Sequence, residues 1–511
     1  MSSSFFGLEI AKTGLFVAQK NINLTGHNIA NAGTDGYSRQ RIVQQSIDPY
    51  VMNSRFANPD QGAVGGGTRV QILQRIRDSF IDKALRSEYD GAYKLLAQEE
   101  SLLNAEKIFN ELSTTDAKLS AGLENFFNAW NEQHTDAASS TFRVNIRETA
   151  ITLCTILNHY YDKLVGQQED LNTQMEQTAN RVNDIMHDIA YYNEKIYAFE
   201  LSSEPANDLR DKRDLLLDEL SQLIDIAYNE DPDPVNPSLA RLRVWMEGSG
   251  QEIINHKEYA VLDTVSAGLD PLTGINLSKF VFSSSTSGGP AIGSDLLYAS
   301  GRMDGLRQQR DGNSSADYGI PYIITELNKL ANALVTEFNA IHTTAWTIPK
   351  DDNGNVSADG YHFFDPANTT AGTISISSDV ATSIWYIATS ENVITGTPSD
   401  LWGDNEKVLE ILTLLDHDNV PGLNASFENF YADIVSGLAA ESKKTQNLTD
   451  AQIAVATNLE TQRESVSGVS LDEEAALLLK FQHMYTANSR MITAIDECLD
   501  VLINRTGVVG L

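Results

Sequence analysis

The residues of this chain that are equipped for chemistry do not converge on a reaction centre. Carboxylates are plentiful, 70 Asp and Glu in 511 residues, so close pairs arise from composition alone. Glu473 and Glu474 are adjacent in a helical pattern and point about 100° apart, so they cannot flank one bond as a glycosidase's acid and base do. Asp351-Asp352-Asn353-Gly354-Asn355 opens like a calcium loop, but its sixth position is Val356 and its twelfth is His362, where Gly and Glu are required. Asn353-Gly354 is better explained as a hairpin turn. His27, His187 and His483 fall in helical patterns with no second histidine four residues away, which fits solvated or core-edge residues better than metal ligands. Gly62 to Gly67 precedes a strand pattern and lacks the lysine and helix start of a phosphate-binding loop. No G-x-S-x-G elbow is present. Cys154 and Cys498 have no matching histidine spacing for zinc and lie in helical patterns as two small buried or half-buried residues; a disulfide between them is the lesser reading. The expectation is no catalytic residue, no metal and no cofactor.

Bulk properties narrow the class. A chain of 511 residues is too long for one compact core and implies two to four domains. A net charge of −33 argues against nucleic acid, whose phosphates need Lys and Arg, and against anionic lipid. It favours solubility of the free subunit, and self-assembly must then bury apolar seams while leaving carboxylates in water. No segment approaches the roughly 20 apolar residues of a membrane span. The N-terminus lacks the basic start and unbroken apolar run of a cleavable signal, which predicts a cytoplasmic chain or one exported by a route that reads no such signal.

The elements alternate in character. A first helix is predicted over 4–31, with Gly33 as its left-handed cap and Asp35-Gly36 as a turn. Thr68-Arg69-Val70-Gln71-Ile72 alternates as a strand, and a helix follows over 78–110. Leu157, Tyr161, Leu164, Gln168, Leu171, Met175, Thr178, Val182, Ile185, Ile189, Tyr192, Ile196 and Phe199 form a seam along one helix of about 60 Å, the expected core of a bundle. Another helix spans 209–226. Asp231-Pro232-Asp233-Pro234-Val235-Asn236-Pro237 reads as a stiff acidic boundary, followed by short apolar runs between turns. Helix returns over 320–342. A second β-type stretch, with Thr373 to Ser377 as its strand, leads to helices over 404–416, 426–465 and 470–505. The helix from 426 carries Leu448, Val455 and Leu459 late in its apolar pattern, and a bend is expected between Glu441 and Gln446. Ser470 and Glu473 make a capping box.

The fold class is therefore multidomain α+β: paired N- and C-terminal coiled-coil helices, a long-helix bundle domain, and two β-rich inserts facing outward. The inner coiled-coil domain takes 1–60 and 467–511. The bundle takes 61–228, 302–346 and 404–466, and the inserts take 229–301 and 347–403. The terminal helices carry heptad seams, Leu8, Ala11, Leu15, Ala18, Ile22, Thr25, Ile29 at one end and Leu478, Phe481, Tyr485, Asn488, Ile492, Ile495, Leu499, Leu502 at the other. Such ends bury against each other or against other subunits, and are expected to be mobile in the free subunit and ordered in an assembly.

Asn28-Ile29-Ala30-Asn31-Ala32-Gly33-Thr34-Asp35-Gly36-Tyr37-Ser38-Arg39-Gln40 resembles the N-terminal signature of bacterial flagellar rod, hook and hook-associated proteins. Its ending, Gly36 to Gln40, is most similar to the hook-associated branch. Ser467-Gly468-Val469-Ser470-Leu471-Asp472-Glu473-Glu474 with Phe481, Gln482 and Tyr485 is similar to the matching C-terminus. Asn207-Asp208-Leu209-Arg210-Asp211-Lys212-Arg213-Asp214 and the segment 301–342 look like the same family. The resemblance implies a structural subunit at the hook–filament junction, exported unfolded without a cleaved signal and polymerising with its two ends as an inner layer. It implies as partners further copies of the chain, hook protein, hook-associated protein 3 and an export chaperone at the C-terminal region. Asn28, Asn31, Gly36, Tyr37, Ser38, Arg39 and Gln40 are then the motif residues, with Gly33 and Gly36 setting the turn and Tyr37 and Arg39 touching a neighbour or the adjoining domain. A hook or rod subunit is the nearer alternative, opposed by the long helices of the middle. A hydrolase anchored by the helices is the distant one; it needs an acid, base or nucleophile in an insert, and none is found.

Overall fold

The computed structural model describes residues 6–48, 65–111, 118–202, 204–284, 300–348, 359–393, 403–415 and 418–505. Helix α1 (Phe6–Ala30) leads into a two-stranded antiparallel ribbon, β1 (Gln40–Ser46) with β2 (Thr68–Arg75). Three helices follow, α2 (Ser79–Glu111), α3 (Leu119–Thr135) and α4 (Ser140–Glu200). Helix α4 has 61 residues, about 90 Å, and begins well before the predicted seam because Ser139 caps it by accepting from the Phe142 amide. Gln168 and Thr178, the polar members of that seam, are buried but partnered: Gln168 donates to the Arg310 carbonyl and Thr178 to the Gln174 carbonyl.

After α5 (Asn207–Leu223) the chain forms an antiparallel meander, β3 (Ile226–Pro232), β4 (Ala240–Met246), β5 (Glu252–Asn255), β6 (Glu258–Leu269) and β7 (Asn276–Ser284), in that order across the sheet. The acidic Pro-rich run is not a boundary. Asp231 and Pro232 end β3, and the next residues turn it into β4, where Asp233 accepts from the Val235 amide at 2.6 Å and from Arg241 Nε at 2.6 Å. Three asparagines of α4 dock the sheet through its backbone. Asn172 accepts from the Ser278 amide, Asn183 exchanges both bonds with Leu262, and Asn193 donates to the His256 carbonyl. Val244, Ile254, Leu262 and Phe282 share one apolar core with α4.

Helices α6 (Arg302–Asp311) and α7 (Ile320–His342) continue that core. The next segment contains no strand among its described residues. Thr373 to Ser377 contributes only a bridge, Phe364 to Ile376, before α8 (Ser378–Thr382) and a 3-10 turn over Ile384–Tyr386. Phe363 and Phe364 are fully buried against Phe126 and Phe338. The Asn339 side chain accepts from both their amides and donates to the Phe364 carbonyl, replacing ladder partners. The calcium-like run, 351–355, lies outside the described residues.

Helix α9 (Glu406–Leu415) and the 41-residue α10 (Phe427–Ser467) complete the body; α10 passes through 441–446 without a break. Its apolar pattern is misleading there: Leu448 and Val455 are exposed, while Thr445, Thr449 and Ala456 are buried. Helix α10 packs on α2, where Gly91 lies against Gln452. Finally α11 (Leu471–Asp500) packs along α1 and passes into a π-helical turn, Val501–Arg505. The close approach is visible at Gly14, where a Cβ would lie 2.8 Å from Asn488 Oδ1.

Candidate functional site

Among the described residues there is no group of three His, Cys, Asp or Glu arranged for a metal, and no helix long and apolar enough to cross a membrane. Cys154 is buried and Cys498 exposed, both free. The site that the geometry does build is a joint. It lies where the end of α1, the start of β1, the first turn of α5 and the α10–α11 break meet.

Asn28 is its centre. The side chain is 2% exposed, and all four of its hydrogen-bonding positions are filled. Its amide donates to the Gln40 carbonyl at 3.0 Å and to Glu474 Oε2 at 3.2 Å, and its oxygen accepts from the Gln40 amide at 3.2 Å and the Tyr37 hydroxyl at 2.7 Å. Thus a helix residue imitates a strand partner for Gln40. The Gln40 side chain reaches on to α5, donating to Asp208 at 2.7 Å and accepting from Asn207 at 3.0 Å. The turn that allows this is made at Gly36, whose φ of 75° is the left-handed value expected of Gly33. Burial, followed by the charges of Asp208, Asp211 and Glu474, pushes the Tyr37 hydroxyl well above the tyrosine range, so it stays a donor.

Arg39 fastens the C-terminal side. Its Nε donates to Glu474 Oε1 at 2.7 Å and its Nη1 to Glu473 Oε2 at 2.8 Å, so the two adjacent carboxylates share one guanidinium. Its amide donates to the Ser467 carbonyl at 2.8 Å, and its carbonyl accepts from the Ile76 amide at 2.8 Å. Ser470 caps α11 by accepting from the Glu473 amide, which holds both carboxylates in the first turn, where the helix dipole favours them.

Behind the motif stands a ladder of ion pairs. Asp211, Asp214 and Asp218 share a face of α5 through spacings of three and four. Arg75 Nη1 donates to Asp211 at 2.7 Å and to Asp214 at 2.8 Å, and Arg77 Nη1 to Asp214 at 3.1 Å. Asp218 accepts from Arg86 at 2.6 Å and from Arg463 of α10 at 2.7 Å. Asp211 also accepts from the Ser38 amide at 3.0 Å, which joins the ladder to the motif. Burial would raise the Asp214 carboxyl, but Arg77, Arg213, Arg75 and Arg86 outweigh it and hold the group well below the usual carboxylate range.

The comparisons with known proteins bear on the same segments. The family model described as the flagellar hook-associated protein FlgK helical domain matches residues 102–359, about half of the chain. The chain belongs to the FlgK hook-associated protein family. A model of the flagellar basal body rod FlgEFG protein C-terminus matches residues 461–505. Flagellar hook-associated protein 1 of Bacillus subtilis (strain 168) is 28% identical over 100% of both chains. The Escherichia coli (strain K12) protein of the same name is 24% identical over 97% of this chain and 98% of its own. The flagellar hook junction protein FlgK from Burkholderia pseudomallei has a similar fold, with a TM-score of 0.56 at 14% identity over 75% of this chain and 100% of its own.

In this FlgK-family chain the motif residues Asn28, Tyr37, Ser38, Arg39 and Gln40 are brought together, and Asn31 and Gly36 shape the turn. Asn31 immediately follows α1, its side-chain amide donating to the His27 carbonyl. The seam residues Leu8, Leu15, Ile22 and Ile29 are half-buried, as are Leu478, Phe481, Ile492, Ile495 and Leu499. Tyr485 is 37% exposed, and Leu502, in the π-helical turn, is 55% exposed. The residues that sequence reasoning passed over are the arginines of the ladder, Arg75, Arg77, Arg86 and Arg463. The spacing of Asp211, Asp214 and Asp218 was the available signal, since three carboxylates on one helix face need cations.

Proposed function

We propose that this chain is a structural subunit that polymerises at the junction between hook and filament and connects the two, without catalysis. The single observation that carries the reading is the incompleteness of the terminal helices. No residue of α1 or α11 belongs to the apolar core of the body among the described residues, and Glu474 is the only buried residue of α11. Two long helices held to the body by a polar joint, with half-buried apolar seams, suit a stem that is completed by neighbours.

On this reading α1 and α11 form an inner coiled coil through Leu8, Leu15, Ile22, Ile29, Leu478, Phe481, Tyr485, Ile492, Ile495, Leu499 and Leu502, and the two inserted segments face outward. The partners are further copies of the chain, hook protein on one side and hook-associated protein 3 on the other. An export chaperone covers the C-terminal region before secretion, and the subunit reaches the outside of the cell without a cleaved signal. The names of the relatives and the match to a rod-type C-terminus support this placement. The test is electron microscopy of a strain lacking the chain. Intact hooks without filaments, with filament monomers shed into the medium, are the expected result; normal filaments refute the reading.

A further inference from the structure

Away from the joint, α7 and the start of α10 enclose a cleft of ≈ 190 Å³ lined by Tyr318, Tyr322, Phe430, Glu326, Asp433 and Asn424. Its walls combine these aromatic rings with aliphatic side chains, and its only charged groups are carboxylates. The rings of Tyr318 and Tyr322 have centroids 5.0 Å apart with planes at 58°. The backbone around them adopts unfavourable conformations. Three non-glycine residues have positive φ among the described residues, and two of them, Tyr318 (47°) and Asn424 (57°), line this cleft. Asparagine tolerates that conformation; an aromatic residue does not do so readily. Across the cleft, Gly437 lies within α10 at a position where a Cβ would lie 2.5 Å from the Tyr318 hydroxyl oxygen. A glycine inside a helix is itself unfavourable. Two local concessions therefore serve one end, the placement of the Tyr318 ring over α10.

We propose that this cleft binds an ammonium or guanidinium group, with Tyr318 and Tyr322 as aromatic walls and Glu326 and Asp433 balancing its charge. Aromatic faces attract cations through the ring quadrupole, and adjoining carboxylates select a positive guest over a neutral one. Glu326 pairs with Lys329 at 2.8 Å, but that lysine is 51% exposed and spaced i,i+3, a surface pair that a better-desolvated cation displaces. The same negative surroundings act on Tyr318, whose hydroxyl is pushed up to about 12 by burial and then by Tyr322, Glu326 and Glu441. The inference stands whether or not the chain works at a hook–filament junction.

Two sources supply such a group: a small organic cation, or a Lys or Arg side chain of another protein chain. Calorimetric titration of the full chain with tetramethylammonium chloride, against sodium chloride at equal ionic strength, probes the first. Titration with the peptide acetyl-Gly-Lys-Gly-amide, against its norleucine counterpart, probes the second. Saturable binding of at least one cation is expected, and the tighter probe identifies the source. Tyr322→Leu should weaken it about tenfold, the scale of one desolvated cation–π contact, whereas Tyr322→Phe retains it. Asp433→Asn, at an exposed position that leaves the fold intact, should weaken it too, and most at low salt. Absence of saturable binding by both probes, or binding that neither Tyr322→Leu nor Asp433→Asn alters, overturns the proposal.

Discussion

At the scale of single residues, Glu474 decides how firmly the terminal helices are attached. It is 1% exposed and accepts from Arg39 and Asn28, which lie 435 and 446 residues away in the chain. Glu474→Gln removes the charge but keeps the volume. Arg39 retains Glu473, so the loss is expected to be about 1–3 kcal/mol, that of a charge-assisted bond rather than of a stranded buried ion. The loss is local. Hydrogen exchange of α1 and α11 should quicken while the melting of the body stays within a degree or two. Asp90 poses a different residue-level question. Its carboxyl is raised to about 7, by burial first and then by the charge of Asp225. The folded value lies above the unfolded one, so Asp90 destabilises the fold progressively as pH rises from about 4 to 7, where the unfolded chain ionises first. Asp90→Asn should therefore raise the melting temperature at pH 8, with the gain vanishing near pH 4. A gain of equal size at both pH values refutes the assignment. Neither effect was legible in the sequence. Asn28, Arg39 and Gln40 stood out as a motif, but Glu474 and Asp208 are far away in the chain, and periodicity carries no information about partners at that separation.

Among the elements, those with a strong local code were legible and those ordered by distant contacts were not. Helix α7 matches its predicted span because Pro321 and an unbroken apolar stripe set it locally. Strand β2 starts at its predicted Thr68 but runs on to Arg75, and α11 starts after its predicted cap Ser470 but ends at Asp500. By contrast, α3 carries Phe126, Phe127 and Trp130 in a short helix whose burial depends on α7 and on Phe363 and Phe364. The segment over 359–393 has the composition of strands, yet its backbone is satisfied by the Asn339 side chain and by His342, whose Nε2 accepts from the Ala388 amide. Burial lowers the His342 imidazole to about 4, so it remains a neutral acceptor at physiological pH. These contacts make Phe363 the element's anchor. Phe363→Ala should cost about 3–5 kcal/mol, the usual range for emptying a fully buried aromatic site. The checkable outcome is a lower midpoint in urea with an unchanged slope; a midpoint shift below about 1 kcal/mol would mean that the segment is not bound to the core through this ring.

For the whole molecule, the chain is one body with a stem, and the two are stabilised by different physics. The body owes its stability to a single apolar core that runs through helices α2–α10 and the five-stranded sheet. The stem has the α1–α11 contact, half-buried on both sides, and the polar joint. The heptads were legible at each end because each seam is local, and the structure packs α11 along α1. What they left open was how the stem meets the body, which depends on Asp211, Asp214 and Asp218 finding four arginines. With a net charge of −33, copies of the chain repel one another at long range, so on the proposed reading association rests on short-range apolar contact along the stem. Ile492 tests this separation. It is half-buried in α11, one turn from Ile495, whose side chain lies 3.3 Å from where a Cβ on Gly7 would stand. A carboxylate there places an unpaired charge in the seam without touching the core. Ile492→Asp should leave the melting of the body and its circular dichroism nearly unchanged, while abolishing filament attachment to hooks seen by electron microscopy. Secretion of the variant, measured in the culture medium, separates failed assembly from failed export. Exported Ile492→Asp protein that supports normal filaments would show that the stem seam is not where the assembly is held.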